Sequence, residues 1–271
     1  MTAPNPPSPF AAELAAALHA AAGAAELILA RGGAANVRHK GRADLVTEVD
    51  EAAERLITER LLAAFPADRV VGEEFSSSQI HSGRRWYVDP VDGTTNFVHG
   101  HPFVCVSIAL WDDDGPAAAV IHAPLLGEVY HAVRGGGAFR NGEPIGVSAV
   151  DAPSGALLAT GFPFKAGKGD LDAYMRLVAD AIRATHDIRR DGSAALDLAM
   201  VASGRVDGYF EIGLAPWDCA AGMLLVTEAG GRVSGWPGDE GLPLHTGRVL
   251  ATNGRIHDWL AELTGAHVGG L

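Results

Sequence analysis

Two aspartates three residues apart are the first residues in this sequence that could do chemistry. The apolar run 86–88 predicts a strand that delivers Asp89 at its end, and Asp92 follows after a turn stiffened by proline. Gly93 permits a tight bend, and residues 94–96 can open a helix whose first N–H groups face an anion. Asp-Pro and Asp-Gly are each ordinary turn dipeptides, but together after an apolar strand they predict a phosphate bridged to a metal ion.

Two further acidic segments extend this pattern. Glu73-Glu74 ends another predicted strand, and Asp218 lies in the first turn of an otherwise apolar predicted helix. Taken alone, the glutamates suit a solvated loop and Asp218 suits a helix cap or dipole partner. Glu73, Asp89, Asp92 and Asp218 together would repel a phosphate monoester, which is itself close to doubly negative, unless cations lay between them. Oxygen ligands beside a phosphate favour Mg²⁺.

These segments resemble the inositol monophosphatase family of the bacterial type. Three motifs stand in the family's order and at its spacing: GEE at 72–74, DPVDGTTNF at 89–97 and WDCAAG at 217–222. The segments DLVTEVD at 44–50 and GSAA at 192–195 also look like family segments. The resemblance covers residues 10–263.

The resemblance implies a site with two Mg²⁺ ions, and a weaker third ion would share Glu73. One ion would be held by Glu73, Asp89 and the main-chain carbonyl of Val91, and the second by Asp89, Asp92 and Asp218. Two such ions about 3.5–4 Å apart can activate water and stabilise the leaving oxygen of an in-line displacement. Asp50 and Thr94 match the pair that orients and activates the attacking water.

The resemblance also implies where the substrate would bind. Main-chain N–H groups at the helix start would hold the phosphate, and residues further along the chain would meet hydroxyls of the sugar or cyclitol. Lys40 would lie on a loop that folds over the site in this family. The implied substrate-binding residues are Asp92, Gly93, Thr94, Thr95, Arg189, Ala194, Glu211 and Asp218.

We therefore expect a Mg²⁺-dependent, lithium-sensitive phosphomonoesterase. Inositol 1-phosphate or a related polyol or sugar phosphate is the favoured substrate, and the products are the alcohol and inorganic phosphate. Histidinol phosphate and fructose 1,6-bisphosphate stay open, because the same scaffold serves them in the family. A non-catalytic docking protein that keeps the fold is the alternative from another class, and the intact set of acids argues against it.

The elements that must position these residues follow from the apolar periodicity. The spacing predicts helices at 10–30, 50–65, 170–184, 194–203, 217–229 and 256–263, and the second half alternates strand with helix. Leu171, Tyr174, Val178 and Ile182 are predicted to share one face of the 170–184 helix. With the resemblance, this pattern predicts a layered α/β (α+β) fold of the sugar-phosphatase type, with helix and sheet layers in the order αβαβα.

A soft boundary near residue 150 divides the predicted fold. We expect a disordered tail at 1–9, an α+β subdomain at 10–150 that carries most metal ligands, and an α/β subdomain at 151–271 that carries Asp218 and the substrate rim. These bounds follow from a proline-rich start and a cluster of turn residues at 150–155.

Composition bounds the class of protein. The 271 residues carry 21 Lys and Arg against 33 Asp and Glu, a formal charge of −12, which disfavours a general nucleic-acid binder. Two cysteines cannot build a disulfide framework, so a reducing cytoplasm is expected. The apolar stretch at 10–30 is mostly alanine and carries Glu13, His19 and Glu26, which indicates an Ala-rich surface helix and not a membrane span. The family resemblance implies a homodimer.

Overall fold

The computed structural model describes residues 9–31, 37–41, 44–75, 83–163 and 170–267. These residues form eight α-helices and fourteen β-strands. The helices are α1 (Ala11–Arg31), α2 (Glu48–Ala64), α3 (Thr94–Val98), α4 (Leu171–Ala184), α5 (Ala194–Ala202), α6 (Pro216–Glu228), α7 (Pro243–Thr246) and α8 (His257–Gly265).

The strands form two main sheets and one hairpin. The hairpin pairs β1 (Val37–Gly41) with β2 (Asp44–Thr47), so the backbone at Lys40, expected in a loop, is in a strand. The remaining strands are β3 (Arg69–Gly72), β4 (Arg85–Asp92), β5 (Cys105–Asp112), β6 (Gly115–Ala123), β7 (Glu128–Val133), β8 (Gly137–Arg140), β9 (Glu143–Ile145), β10 (Leu157–Thr160), β11 (Asp187–Arg189), β12 (Gly208–Ile212), β13 (Arg232–Ser234) and β14 (Arg248–Thr252).

The two sheets differ in how their strands run. The larger sheet has the order β3-β4-β5-β6-β7-β8-β9, and β3 and β4 are its parallel pair. The smaller sheet has the order β11-β10-β12-β14-β13, in which β10 is parallel to both of its neighbours. Parallel neighbours bring the carboxyl ends of successive strands to the same sheet edge, where loops can assemble a site.

Five layers alternate through the molecule. Helices α1 and α2 cover one face of the larger sheet, α5 and α6 lie between the two sheets, and α4 and α8 cover the outer face of the smaller sheet. Side chains of a strand alternate between faces, so Trp86 of β4 packs towards α1 and α2 while Tyr87 packs towards α6. The predicted αβαβα arrangement is thereby confirmed.

The sheets lie on either side of the predicted boundary at residue 150. Strands β3–β9 precede it and β10–β14 follow it. The central core of α5 and α6 nevertheless packs against both sheets, with Leu198 and Leu225 among its fully buried side chains. The division into two subdomains stays a prediction, and residues 1–8 of the predicted disordered tail at 1–9 lie outside the described residues.

Helix α1 is long and apolar enough to cross a membrane by length and composition. Its alanine-rich face is buried against α2 and the larger sheet, with Ala17, Ala24 and Ile28 fully inaccessible. Small side chains let two helices approach closely, so this composition suits an outer-layer helix with one packed face. The expectation of a surface helix therefore holds for only part of its circumference.

The predicted packing face of α4 is partly wrong. Tyr174 and Val178 are buried as expected, but Leu171 and Ile182 are 44% and 54% exposed. The buried stripe also contains Ala173, Leu177 and Ala181. Positions 174, 177, 178 and 181 follow the i, i+3, i+4, i+7 spacing of one helix face. Residue 182 is rotated by about 100° from residue 181 around the helix axis, so it lies outside this buried stripe.

Candidate active site

One cavity of about 420 Å³ brings together most of the predicted site residues. It opens at the carboxyl ends of β3, β4 and β12 and at the first turns of α3, α5 and α6. Ten predicted residues line it: Glu73, Asp89, Val91, Asp92, Gly93, Thr94, Thr95, Ala194, Glu211 and Asp218. Asp50 lies one hydrogen bond behind this wall, and Arg189 is not part of it.

A bulge in β4 places its two aspartates. Strand β4 does not end at Asp89, as its apolar run suggested, but continues to Asp92. Asp89 pairs with Ser107 and Asp92 pairs with Cys105, so three steps on β4 oppose two on β5. The extra residue re-aims the strand locally. As a result, both carboxylates lie at the same cavity.

The turn after Asp92 needs a glycine. Gly93 has a φ of 94°, a left-handed conformation that favours glycine, and a Cβ there would lie 2.9 Å from the carbonyl oxygen of Phe103. The amide of Phe97 donates to the carbonyl of Gly93 at 2.9 Å, which closes the first turn of α3. Residues 93–95, at the start of α3, thereby line the cavity beside Asp92.

Asp92 joins the larger sheet to α5. Its Oδ2 accepts hydrogen bonds from the Ser193 hydroxyl and the Ala195 amide, each at 2.7 Å. Burial raises the pKa of Asp92 to about 6, although these two hydrogen bonds act in the opposite direction. Ser193, which sequence analysis did not assign to the site, is therefore a direct partner of a predicted metal ligand.

Asp50 and Thr94 meet across two elements. Thr47 caps α2, and its amide donates to Asp50 Oδ2 at 3.0 Å in a capping box. Thr94 Oγ1 lies 3.2 Å from Asp50 Oδ1 and 3.1 Å from the carbonyl oxygen of Val91. Burial raises the pKa of Asp50, and the hydrogen bonds from Thr47 and Thr94 partly offset that effect. The buried carboxylate thus reaches the cavity through the threonine hydroxyl.

Glu73 and Asp218 both lie near Asp89, and they come from different elements. Gly72 of β3 pairs in parallel with Val88 of β4, so Glu73 and Asp89 are the next residues of neighbouring strands. Asp218 lies in the first turn of α6, where its Oδ2 accepts from the Ala215 amide at 2.7 Å. The cap expected for this carboxylate and its place at the cavity are therefore compatible.

The charge balance at Asp89 tests whether a cation would fit. Its carboxyl is buried, and its pKa lies well above the usual range because of burial first and then of nearby Glu73, Asp92, Asp218 and Asp50. An all-oxygen, strongly acidic donor set of this kind fits a hard divalent cation. In the described part of the chain, no three Asp, Glu, His or Cys side chains already stand in an arrangement that encloses an ion.

Glu211 is held at the far side of the cavity. Its Oε2 accepts a hydrogen bond from the Tyr209 hydroxyl at 2.5 Å. Thr160 of β10 pairs with Phe210 of β12, which places Gly161 beside Glu211, and a Cβ at Gly161 would lie 2.0 Å from the Glu211 carboxylate. Any side chain at position 161 would collide with the Glu211 carboxylate, so this position requires glycine.

Arg189 is not brought to the cavity. Its guanidinium donates to Asp187 at 2.6 Å on the exposed edge strand β11. Arg190 lines the cavity instead, with its guanidinium carbon 5.4 Å from the centre of the Phe162 ring. Successive side chains of an extended segment point in opposite directions, so a shift of one residue exchanges the surface arginine for the cavity arginine.

Asn96 is another polar side chain at the cavity that was not predicted individually. Asn96 donates through Nδ2 to the carbonyls of Phe103 at 2.8 Å and Asp191 at 2.7 Å. These bonds join the loop before β5 to the loop before α5. The position of Asn96 inside the acidic motif was a signal for it, whereas nothing in the sequence indicated the two carbonyl partners.

Sequence comparisons relate this chain to known proteins. The profile of the inositol monophosphatase family matches residues 11–268. Inositol-1-monophosphatase from Synechocystis is 42% identical over 90% of this chain and 85% of its own length. Nus factor SuhB from Escherichia coli K12 is 44% identical over 82% of this chain and 83% of its own length.

A solved structure shares the overall fold. The crystal structure of extragenic suppressor protein suhB from Bartonella henselae superimposes with a TM-score of 0.87 at 37% identity. The match covers 93% of this chain and 98% of that one. With the profile match over nearly the full length, these likenesses show that the chain belongs to the inositol monophosphatase family.

Proposed function

We propose that this protein is a Mg²⁺-dependent phosphomonoesterase that hydrolyses inositol 1-phosphate or a related polyol phosphate. The observation that carries the proposal is the group of buried carboxylates around Asp89, set beside the main-chain N–H groups at the start of α3. The carboxylates would bind the metal ion, and the N–H groups would bind the phosphate oxygens. The 42% identity to an inositol-1-monophosphatase supports the choice of substrate.

The proposed metal ligands divide into two groups. Glu73, Asp89 and the carbonyl of Val91 would hold one Mg²⁺, and Asp89, Asp92 and Asp218 would hold the second. A third, weaker ion would share Glu73. When bound, the ions supply charge neutralisation and a water of lowered pKa. Li⁺ inhibition is part of the proposal and rests on the family resemblance.

The chain's own residues hold the phosphate and aim the nucleophile. The N–H groups of Gly93, Thr94 and Thr95 would bind phosphate oxygens. The Thr94 hydroxyl can donate to Asp50 Oδ1 at 3.2 Å while its lone pair accepts a hydrogen bond from the attacking water. Asp50, fixed in the capping box by Thr47, keeps that hydroxyl oriented.

The other end of the substrate would lie against the smaller sheet. Glu211 would accept hydrogen bonds from polyol hydroxyls, and Ala194 at the start of α5 would meet the same hydroxyls. Arg190, and not Arg189, provides the cationic side chain described at the cavity wall. The donors and acceptors on this side contact the alcohol part of the substrate, so they act on substrate choice more than on the phosphoryl step.

The proposal also covers location and partners. The protein would form a homodimer, which rests on the family resemblance alone. The two cysteines and the formal charge of −12 support a cytoplasmic protein without a nucleic-acid partner, and the polar residues within the 10–30 stretch argue against a membrane partner. The Nus factor name of a relative at 44% identity favours one second candidate, a docking role on the same scaffold. Such a role would not need the full set of acids at the cavity.

A substrate panel tests the proposal. We expect the highest kcat/KM for inositol 1-phosphate among monoesters that include histidinol phosphate and fructose 1,6-bisphosphate. Asp92→Asn is the matched control: it keeps the side-chain volume but removes a charged ligand, and we expect at least about a 10²-fold loss on every substrate. A preference for another monoester would overturn the assignment of inositol 1-phosphate as the substrate. Full activity of the Asp92→Asn variant would show that Asp92 is not part of the active site.

A further inference from the structure

A buried glutamate on α2 lies behind the Glu73 turn. Glu54 is 1% exposed, one helical turn after Asp50, on the face of α2 that packs against the larger sheet. A carboxylate is seldom buried to this degree unless its oxygens have hydrogen-bond partners. The groups that donate to the Glu54 oxygens should therefore show which segment this carboxylate stabilises.

Both oxygens of Glu54 accept hydrogen bonds from the turn after β3. The amide of Glu74 donates to Oε2 at 2.7 Å, and the amide of Phe75 donates to Oε1 at 3.0 Å. Hydrogen bonds to a charged acceptor are about twice as strong as those between neutral groups. These two bonds fix the backbone directly after Glu73, the residue that turns into the cavity.

Gly72 is shaped to the same carboxylate. A Cβ on Gly72 would lie 2.2 Å from Glu54 Oε1 and 2.3 Å from its carboxyl carbon. The φ of Gly72 is outside the left-handed region, so the glycine is required for space and not for backbone conformation. The Gly-Glu-Glu segment and Glu54 therefore form one interlocked unit.

A second side chain of α2 contacts this turn. The guanidinium of Arg55 lies 4.8 Å from the centre of the Phe75 ring, a cation–π contact next to the Glu54 bonds. One turn earlier, Asp50 contacts Thr94, the first residue of α3, two positions after Asp92. The two buried acids of α2, four residues apart, thus contact the segments that directly follow β3 and β4, next to the proposed ligands Glu73 and Asp92.

We infer that Glu54 is a positioning residue that sets the metal affinity of the site through the placement of Glu73. The inference rests on the proposed function, because it needs Glu73 to be a metal ligand. Groups that orient a ligand without touching the metal typically change metal affinity by 10- to 100-fold when removed. Glu54 should accordingly act on the binding of Mg²⁺ more than on kcat once Mg²⁺ is saturating.

Glu54→Gln tests this placement directly. The amide keeps the shape, but its NH₂ group faces a backbone donor, so one of the two hydrogen bonds is lost. We expect the Mg²⁺ dissociation constant, measured by calorimetry on metal-free protein without substrate, to rise about 10- to 100-fold. The Mg²⁺ concentration for half-maximal phosphate release should rise by the same factor, with kcat at saturating Mg²⁺ nearly unchanged. Glu59→Gln, on the exposed side of the same helix, should change neither quantity.

A double-mutant cycle separates positioning from general destabilisation. Gly72→Ala should weaken Mg²⁺ binding by itself, since the new methyl group collides with the Glu54 carboxylate. In a Glu54→Ala background that collision is absent, so the further effect of Gly72→Ala should be much smaller. Additive effects, or a Glu54→Gln protein that unfolds at lower temperature while binding Mg²⁺ normally, would overturn the inference. Failure of the wild-type protein itself to bind Mg²⁺ would overturn the proposed function and this inference with it.

Discussion

Two of the acidic side chains at the cavity also hold the local fold. Asp92 accepts from Ser193 and the Ala195 amide, and Asp218 accepts from the Ala215 amide. Sequence patterns that read as a turn or a cap were therefore correct as local structure, and the same carboxylates are available at the cavity. An amide replacement keeps an oxygen that can accept these bonds, which makes amide variants the appropriate probes of charge.

Glu211 should govern substrate choice. Glu211→Gln keeps the shape and the neighbouring Tyr209 but weakens acceptance from a polyol hydroxyl. A hydrogen bond to a charged group contributes about 1.5–3 kcal/mol, so kcat/KM for inositol 1-phosphate should fall about 10- to 150-fold. A small aryl phosphate without those hydroxyls is the control substrate, and its hydrolysis should change little. Equal losses on both substrates would place Glu211 with the phosphoryl chemistry or with the fold.

The sequence predicted the acids of the cavity better than their partners. Asp89, Asp92 and Asp218 stand in motifs whose residue types carry the signal. Glu54 lies in a helix where its spacing marks only one more turn of α2, and its role depends on a contact across 20 positions of sequence. Such a contact can be recognised only once the fold is known.

At the scale of elements, the cavity contains Arg190 where Arg189 was predicted, which shows that strand register decides which side chain faces the site. The predicted Arg189 and the observed cavity residue Arg190 are adjacent, and which of the two faces the cavity depends on the pairing of β11. That strand pairs with β10 at Ala159 opposite Arg189. The bulge between Asp89 and Asp92 is a second case, since its position is set by pairing with β5 and not by the apolar pattern of β4 alone.

His257 joins three elements and should make them acid-sensitive. It is 1% exposed at the start of α8, with Nε2 2.9 Å from Ser234 of β13 and Nδ1 3.0 Å from Thr252 of β14. Burial, with Arg232 nearby, lowers the pKa of His257 from 6.5 to about 4. Between those values the unfolded chain binds the proton and the folded protein does not, so stability is lost as the pH falls from 6.5 towards 4.

His257→Gln removes this titration. The variant should be less stable at neutral pH by about 1–3 kcal/mol, because a buried hydrogen-bond partner is altered. The difference in unfolding free energy between the wild-type protein and the variant should shrink as the pH is lowered to 4.5, measured by urea denaturation. His186→Gln, at an exposed position, is the control, and its unfolding free energy should change with pH as that of the wild-type protein does. A constant difference for His257→Gln would show that its ionisation is not linked to folding.

For the whole molecule, local periodicity predicted most helices but not the order of the layers. The helices at 50–65, 194–203 and 217–229 agree with α2, α5 and α6 within a few residues. Their assembly into five layers was expected from family resemblance, because a buried helix such as α6, apolar on most sides, has no periodicity that names its neighbours. Short edge strands such as β9, β11 and β13 carry too few residues for a pattern.

The central claim is that the cavity acts on phosphate monoesters through bound divalent metal. The most direct measurement is phosphate release from inositol 1-phosphate by the wild-type protein, first after exhaustive chelation and then during titration with Mg²⁺. The account predicts loss of activity on chelation, saturable recovery with Mg²⁺, and inhibition of the recovered activity by Li⁺. Full activity in the chelated protein would contradict the account.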